Sequence, residues 1–278
     1  MDCRGKPGND EGKHIESQVM DSLNPEYPPV TMVLAPQRRR IWKFWGTALW
    51  GLVGFAAMSL GQIAVVVVFV LLRGEPIGFG EAIKAVAGSG LALSLSVVAG
   101  LPATLAALWP AIRLTSTPIA EYLALRWPSW KEFLIGAVGL VVLVMGWEFL
   151  SRVTGRASSP DFMVDVMKSA QSDGALWLLI LGFSVAAPVS EEFLARGFLY
   201  YGWSETFLKV PGAICLSSLV WTALHLQYYD WFSFSEVFSL GLWLGYLRYR
   251  SQSTWLTIVL HGLNNLAAVA QSVYLAGN

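Results

Sequence analysis

The sequence predicts an all-α bundle of membrane-spanning helices, and three observations carry that prediction. Of 278 residues, 55% are hydrophobic and 14% charged, with a mean hydropathy of +0.52, where a soluble domain carries about 25% charged residues. The apolar surplus falls in runs of about 17 to 25 residues, the length that crosses a bilayer as a helix. The charges gather in an N-terminal tail and in the stretches between these runs.

Seven runs are predicted as spans: Phe44–Leu72, Gly88–Ile112, Phe133–Leu150, Ala175–Tyr200, Val210–His225, Phe232–Leu247 and Thr254–Val273. The segment Ser116–Trp130 has mixed polarity and two prolines. It reads as a loop or an interfacial helix, with room for an eighth element. Residues 1–37 read as a disordered polar tail, 38–174 as the N-terminal spans, and 175–278 as a separate core. The tail lacks the apolar stretch of a signal peptide, and Met20 and Met32 stand as alternative starts.

Orientation follows from Lys and Arg in the loops, which favour the cytoplasmic side. Arg38, Arg39, Arg40, Lys43, Arg113, Arg126, Lys131, Arg196, Lys209, Arg248 and Arg250 fall on one side, and Arg73, Lys84, Arg152, Arg156 and Lys168 on the other. The N-terminus is therefore expected in the cytoplasm, with the chain integral to a bacterial plasma membrane. Trp42, Trp45, Trp127, Trp130, Tyr228, Tyr229 and Trp231 sit near span ends, as interfacial anchors do. A formal net charge of zero gives no reason to expect a nucleic-acid partner; the lipid bilayer is the expected surrounding. Cys3 and Cys215 form no disulfide framework or metal pair, and Cys215 reads as a small buried apolar residue.

Polar residues inside spans are costly, about 2.5 to 3.5 kcal/mol for a charge at a helix centre, and they are unevenly spread. The first three spans hold almost none. The last four hold Glu191, Glu192, Arg196, His225, Glu236, His261, Asn264 and Asn265. In SEEFLARGFLY, Glu192 and Arg196 are one turn apart and can neutralise each other. Glu191 points about 100° away and must find its partner on another helix. Pro188 just upstream can kink the helix or end it, and Ser190 is placed to cap the segment that follows. In WTALH, Trp221 and His225 share a face; in HGLNN, His261 and Asn265 do. A single intramembrane histidine is ordinarily a helix-to-helix bonding residue. Two of them beside an unpaired glutamate and an asparagine point to a site. At 1.5 Å per residue, Glu191, His225, His261 and Asn265 all lie about 15 to 24 Å from the cytoplasmic face. Glu148, Asp230 and Glu236 sit near span ends and read as interfacial.

EEFLARG resembles the EExxxR motif of the CAAX-processing and bacteriocin-processing intramembrane proteases, the family that includes the Ras-converting CAAX endopeptidase. WTALH resembles its [FW]xxxH motif and HGLNN its HxxxN motif, in the same order and helical setting. The resemblance covers about Ala175 to Val273, and LALRWPSWKEFLIG resembles the loop that often precedes this core. It implies that 175–278 is the catalytic core of an endopeptidase cleaving a membrane protein or peptide, prenylated or leader-bearing. Glu191 and His225 would activate water, and His261 and Asn265 would stabilise the oxyanion. Glu192 and Arg196, with Trp221, would support them.

A desolvated glutamate suits a general base, and a neutral histidine with an asparagine amide suits an oxyanion. No cofactor is favoured, with zinc as the alternative: Glu191, His225 and His261 form a His2Glu ligand set. That arrangement leaves no evident base, because Glu192 is held by Arg196. There is no HExxH, GxSxG or GxGD motif. Two other readings of the same residues are a proton-coupled transporter with a Glu and His relay, and a non-catalytic immunity or scaffold protein.

Overall fold

A computed structural model describes residues 42–73, 78–156, 161–225 and 230–276. The polar tail with Cys3, His14, Met20 and Met32, the cluster Arg38–Arg40, and Tyr228 and Tyr229 lie outside these residues. The described residues fall in one compact unit and form helices without any strand among them. They are α1 (Phe44–Arg73), α2 (Phe79–Ala87), α3 (Gly90–Arg113), α4 (Ile119–Tyr122), α5 (Trp130–Val153), α6 (Asp161–Ser172), α7 (Leu176–Ser204), α8 (Lys209–Ala223), α9 (Trp231–Ser251) and α10 (Thr254–Ala276).

Each predicted span appears as a helix. Five of them, α1, α3, α5, α7 and α10, are long and apolar enough to cross a membrane. The other two fall short for different reasons. α8 has 15 residues, about 22 Å at 1.5 Å per residue. α9 has 21 but carries Glu236, Arg248, Arg250 and four serines. The outer faces of the long helices expose Leu52, Val68, Leu71, Val142 and Met145, as lipid-facing surfaces do. Cys215 is on such a face. It is exposed on α8 and not buried as the composition predicted, since a small apolar thiol is as acceptable to lipid as to a core.

Local chemistry fixes where the helices begin. Ser129 and Glu132 make a reciprocal capping box at the start of α5. The Asp230 carboxylate accepts the Phe232 and Ser233 N–H groups at 3.0 and 3.1 Å and so caps α9. The Ser233 hydroxyl bonded to it holds this carboxyl below its ordinary range. Asp230 is thus a structural residue at a helix end, as its position predicted.

Long-range bonds order the two ends of the bundle. At one end, Trp203 Nε1 donates to the Phe44 carbonyl (3.2 Å), Trp42 Nε1 to the Ala111 carbonyl (2.9 Å), and Thr254 N to the Ala124 carbonyl (3.0 Å). At the other, Arg156 pairs with Asp230 (3.0 Å) and Gly90 N donates to Ser169 Oγ (3.0 Å). Trp42 therefore ties α1 to α3, whereas Trp45, Trp127, Trp130 and Trp231 are exposed, as anchors are.

The segment 116–130 is neither a span nor a surface helix. Its one helical turn, α4, buries Tyr122 completely. The Tyr122 ring stacks on Phe198 (5.5 Å) and meets Tyr201 edge-on (4.6 Å). Thr254 Oγ1 donates to the Leu123 carbonyl (2.5 Å), and Ser253 Oγ to that of Arg126. The segment is a plug seated on α7 and on the α9–α10 turn.

Two helices were not predicted. α6 buries Val166, Met167 and Ala170 against Leu179 and Val269, and α2 buries Ala82 and Val86. Both carry their apolar residues at helical spacing on one face only.

Candidate active site

The site is built on α7, which does not run as a uniform α-helix. Gly182–Ala186 and Phe193–Leu199 are π-helical, a local form common at functional sites. The turn Ala187–Glu192 between them carries Pro188 and both glutamates. Pro188 does not end the helix; the π turn absorbs it. Ser190 is not a cap either. Its hydroxyl donates back to the Ala186 and Ala187 carbonyls at 2.9 and 3.0 Å, the habit of a hydroxyl inside a helix.

Glu192 and Arg196 are fully buried and bonded at 2.8 Å. The Arg196 Nη2 donates to the Gly241 carbonyl of α9 (3.0 Å), and the guanidinium lies 4.5 Å from the centre of the Trp221 ring. Arg196 is thus an interior charge and not a loop charge of the cytoplasmic side. The same Glu192 oxygen meets His261 Nδ1 at 3.0 Å. A carboxylate only accepts, so Nδ1 carries the hydrogen. Glu192 therefore orients a histidine as well as neutralising Arg196.

Glu191 finds a hydrogen-bond partner on α8: the Trp221 indole N–H donates to its Oε2 at 2.6 Å. His225 stands in the turn after α8, two residues past the helix end. Its Nδ1 lies 3.0 Å from the Trp221 carbonyl. That acceptor assigns the hydrogen to Nδ1. The His225 and His261 rings both meet Trp221 edge-on, at 4.8 and 5.3 Å.

Trp221 is consequently the centre of the cluster, touching Glu191, Arg196, His225 and His261. Trp221→Phe keeps the ring contacts and removes only the N–H bond to Glu191. A bond to a charged group contributes about 1.5 to 3 kcal/mol. Cleavage by this variant is expected to fall about 10- to 100-fold in a protein that still folds but melts at a lower temperature, both measured on detergent-purified protein; wild-type rates would show that the bond is idle in catalysis.

Asn265 joins the cluster from α10. Its Nδ2 donates to the Phe183 carbonyl in the first π segment at 2.9 Å. Asn264 reaches only its neighbour Asn265, at 3.5 Å. Gly262 makes the seam possible: a Cβ there would lie 2.5 Å from the Ser184 carbonyl oxygen. Gly241 does the same between α9 and α8, where a Cβ would lie 3.0 Å from that of Ser218. These glycines and the Phe183 and Gly241 carbonyls were not singled out from the sequence, although GLWLG shows the small-residue spacing that marks close helix packing.

Among the described residues, no three His, Cys, Asp or Glu side chains are arranged to hold a metal ion together. The set Glu191, His225 and His261 does not form such a group. One Glu191 oxygen and one nitrogen of each ring are already held by Trp221 and Glu192.

Residues 173–267 match the family model of type II CAAX prenyl endopeptidase Rce1-like proteins. The segment is Rce1-like. This is the group that the three motifs resemble, and the Rce1-like segment contains Glu191, Glu192, Arg196, Trp221, His225, His261 and Asn265, whereas α1 to α6 precede it. No curated protein and no solved structure gives a significant match.

Proposed function

We propose that the protein is an intramembrane endopeptidase that hydrolyses a peptide bond of a membrane-associated substrate, prenylated or leader-bearing, with a water activated by Glu191. The observation that carries this reading is the convergence of Glu191 and His225 on one tryptophan, whose indole N–H bonds the carboxylate and whose carbonyl lies against the His225 ring. Glu191 takes the proton of the attacking water, and His225 orients that water by a hydrogen bond.

The attacked carbonyl becomes an oxyanion, and His261 and Asn265 are its proposed donors. With Nδ1–H given to Glu192, His261 would meet the oxyanion through its other nitrogen, which donates in the imidazolium form. After attack, the proton held by Glu191 passes to the leaving amine as the C–N bond breaks.

The proposed topology has α8 and α9 crossing with the five longer helices, the N-terminus in the cytoplasm and Lys43, Arg113, Arg126, Lys131 and Lys209 facing it. The membrane is proposed to be a bacterial plasma membrane. Substrate enters a water-filled cleft, because an extended peptide exposed to lipid leaves its backbone groups unsatisfied.

The test is cleavage of a prenylated peptide ending in a CAAX sequence by purified protein. His225→Ala is expected to reduce the rate about 100-fold or more while remaining folded. A folded His225→Ala protein that cleaves at the wild-type rate would remove His225 from the mechanism.

A further inference from the structure

Pro188 lies three residues before Glu191 and touches no part of the chemistry just described, yet it determines what the Phe183 carbonyl can bond. In a π turn a carbonyl accepts from the N–H five residues ahead, and in an α turn four ahead. The Ala187 N–H, four ahead of Phe183, donates to Gly182. The residue five ahead is Pro188, which has no N–H. Neither main-chain register therefore supplies the Phe183 oxygen with a donor. In a membrane interior such a freed group must be met from a neighbouring helix or side chain. Asn265 Nδ2 meets it at 2.9 Å.

We propose that Pro188 is a positioning residue for Asn265. By withholding its N–H, it reserves the Phe183 carbonyl for the Asn265 amide. A carbonyl accepts only, so the amide must turn its nitrogen, and not its oxygen, toward α7. This fixes the flip of the side chain, commits one of its two N–H groups and holds the plane of the other. The same contact sets the register of α10 on α7. Along that seam His261 bonds Glu192, Gly262 passes the Ser184 carbonyl, and Asn265 bonds Phe183, all within about one turn of α10. The reading rests on the proposed hydrolysis only in giving the second Asn265 N–H to the oxyanion.

The experiment is a double-mutant cycle of Pro188→Ala and Asn265→Ala, read by thermal unfolding in detergent and by cleavage of the prenylated peptide. Pro188→Ala supplies an N–H that can serve Phe183. Asn265→Ala is expected to lower the midpoint, and to lower it by about half as much or less when Pro188→Ala is also present. Equal lowering in both backgrounds would overturn the proposal.

In cleavage, Pro188→Ala is expected to reduce kcat about 10- to 100-fold at an unchanged KM, as a misplaced group does, with no further loss on adding Asn265→Ala. Losses that multiply independently would contradict the positioning role. Should Pro188→Ala fail to fold, Asn265→Leu decides the matter alone, because it leaves the Phe183 carbonyl unmet. A midpoint at or above the wild type overturns the proposal. A wild-type protein that cleaves no peptide would sink the proposed hydrolysis, and the thermal cycle would still decide the link between Pro188 and Asn265.

Discussion

Glu191→Gln is expected to lose cleavage about 100- to 10,000-fold, the range set by removing a general base, with no loss of thermal stability. The substitution is isosteric, and its amide oxygen still accepts the Trp221 N–H now bonded to Oε2. What disappears is the capacity to take a proton from water. Because a carboxylate among apolar helices is costly, its neutral replacement is expected to melt at or slightly above the wild-type temperature. Rate measurements and melting curves on the same preparation separate chemistry from folding. A stable variant with wild-type turnover would show that Glu191 is not the base.

Arg196→Ala has the opposite signature, with stability lost first. It leaves Glu192 fully buried and without its guanidinium, still bonded to His261. Breaking a buried pair by removing one member costs about 3 to 5 kcal/mol, because the other charge stays behind. The variant also strips the Gly241 carbonyl of its donor and Trp221 of the cation above its ring. Little folded protein is expected. Replacing both members, Glu192→Met with Arg196→Met, removes the stranded charge and is expected to recover most of the stability. Activity should stay low, since His261 has lost the carboxylate that orients it. Recovery of full activity in the double variant would show that the pair does nothing beyond holding itself together.

Most of the architecture was legible because bilayers impose length and apolarity on any helix that crosses them. The seven predicted runs all fold as helices, and the polar residues named in the last four gather around Trp221 and along the α7–α10 seam, except Glu236, which is exposed on α9. The three motifs give the residue types, and helical spacing separated Glu192, paired with Arg196, from Glu191. Spacing did not show that Trp221 would bond Glu191 through its side chain and His225 through its backbone, since both contacts depend on how α8 meets α7 and where α8 ends. The π turns were equally hidden. A 3.6-residue repeat says nothing about a local change of register, and Pro188 marked the place without saying whether the helix would break or bulge. Ser190 illustrates the same limit: it caps only if a helix begins there, and none does.

Two further differences have simple causes. α6 is a short amphipathic helix whose apolar residues Met163, Val166, Met167 and Ala170 repeat at helical intervals, a pattern that a search for continuous apolar runs passes over. α9 carries more charge than an ordinary span, and one of its charges, Arg248, is buried inside the bundle against Tyr200, where charge is met by protein and not by lipid.

The most direct measurement is a proteome-wide comparison of peptide termini between cells producing the wild-type protein and cells producing equal amounts of folded Glu191→Ala. Hydrolysis at Glu191 predicts a defined set of termini, from membrane-associated proteins or peptides, that is present with the wild type and absent with the variant. Identical termini in the two, with both proteins folded and inserted, would contradict it.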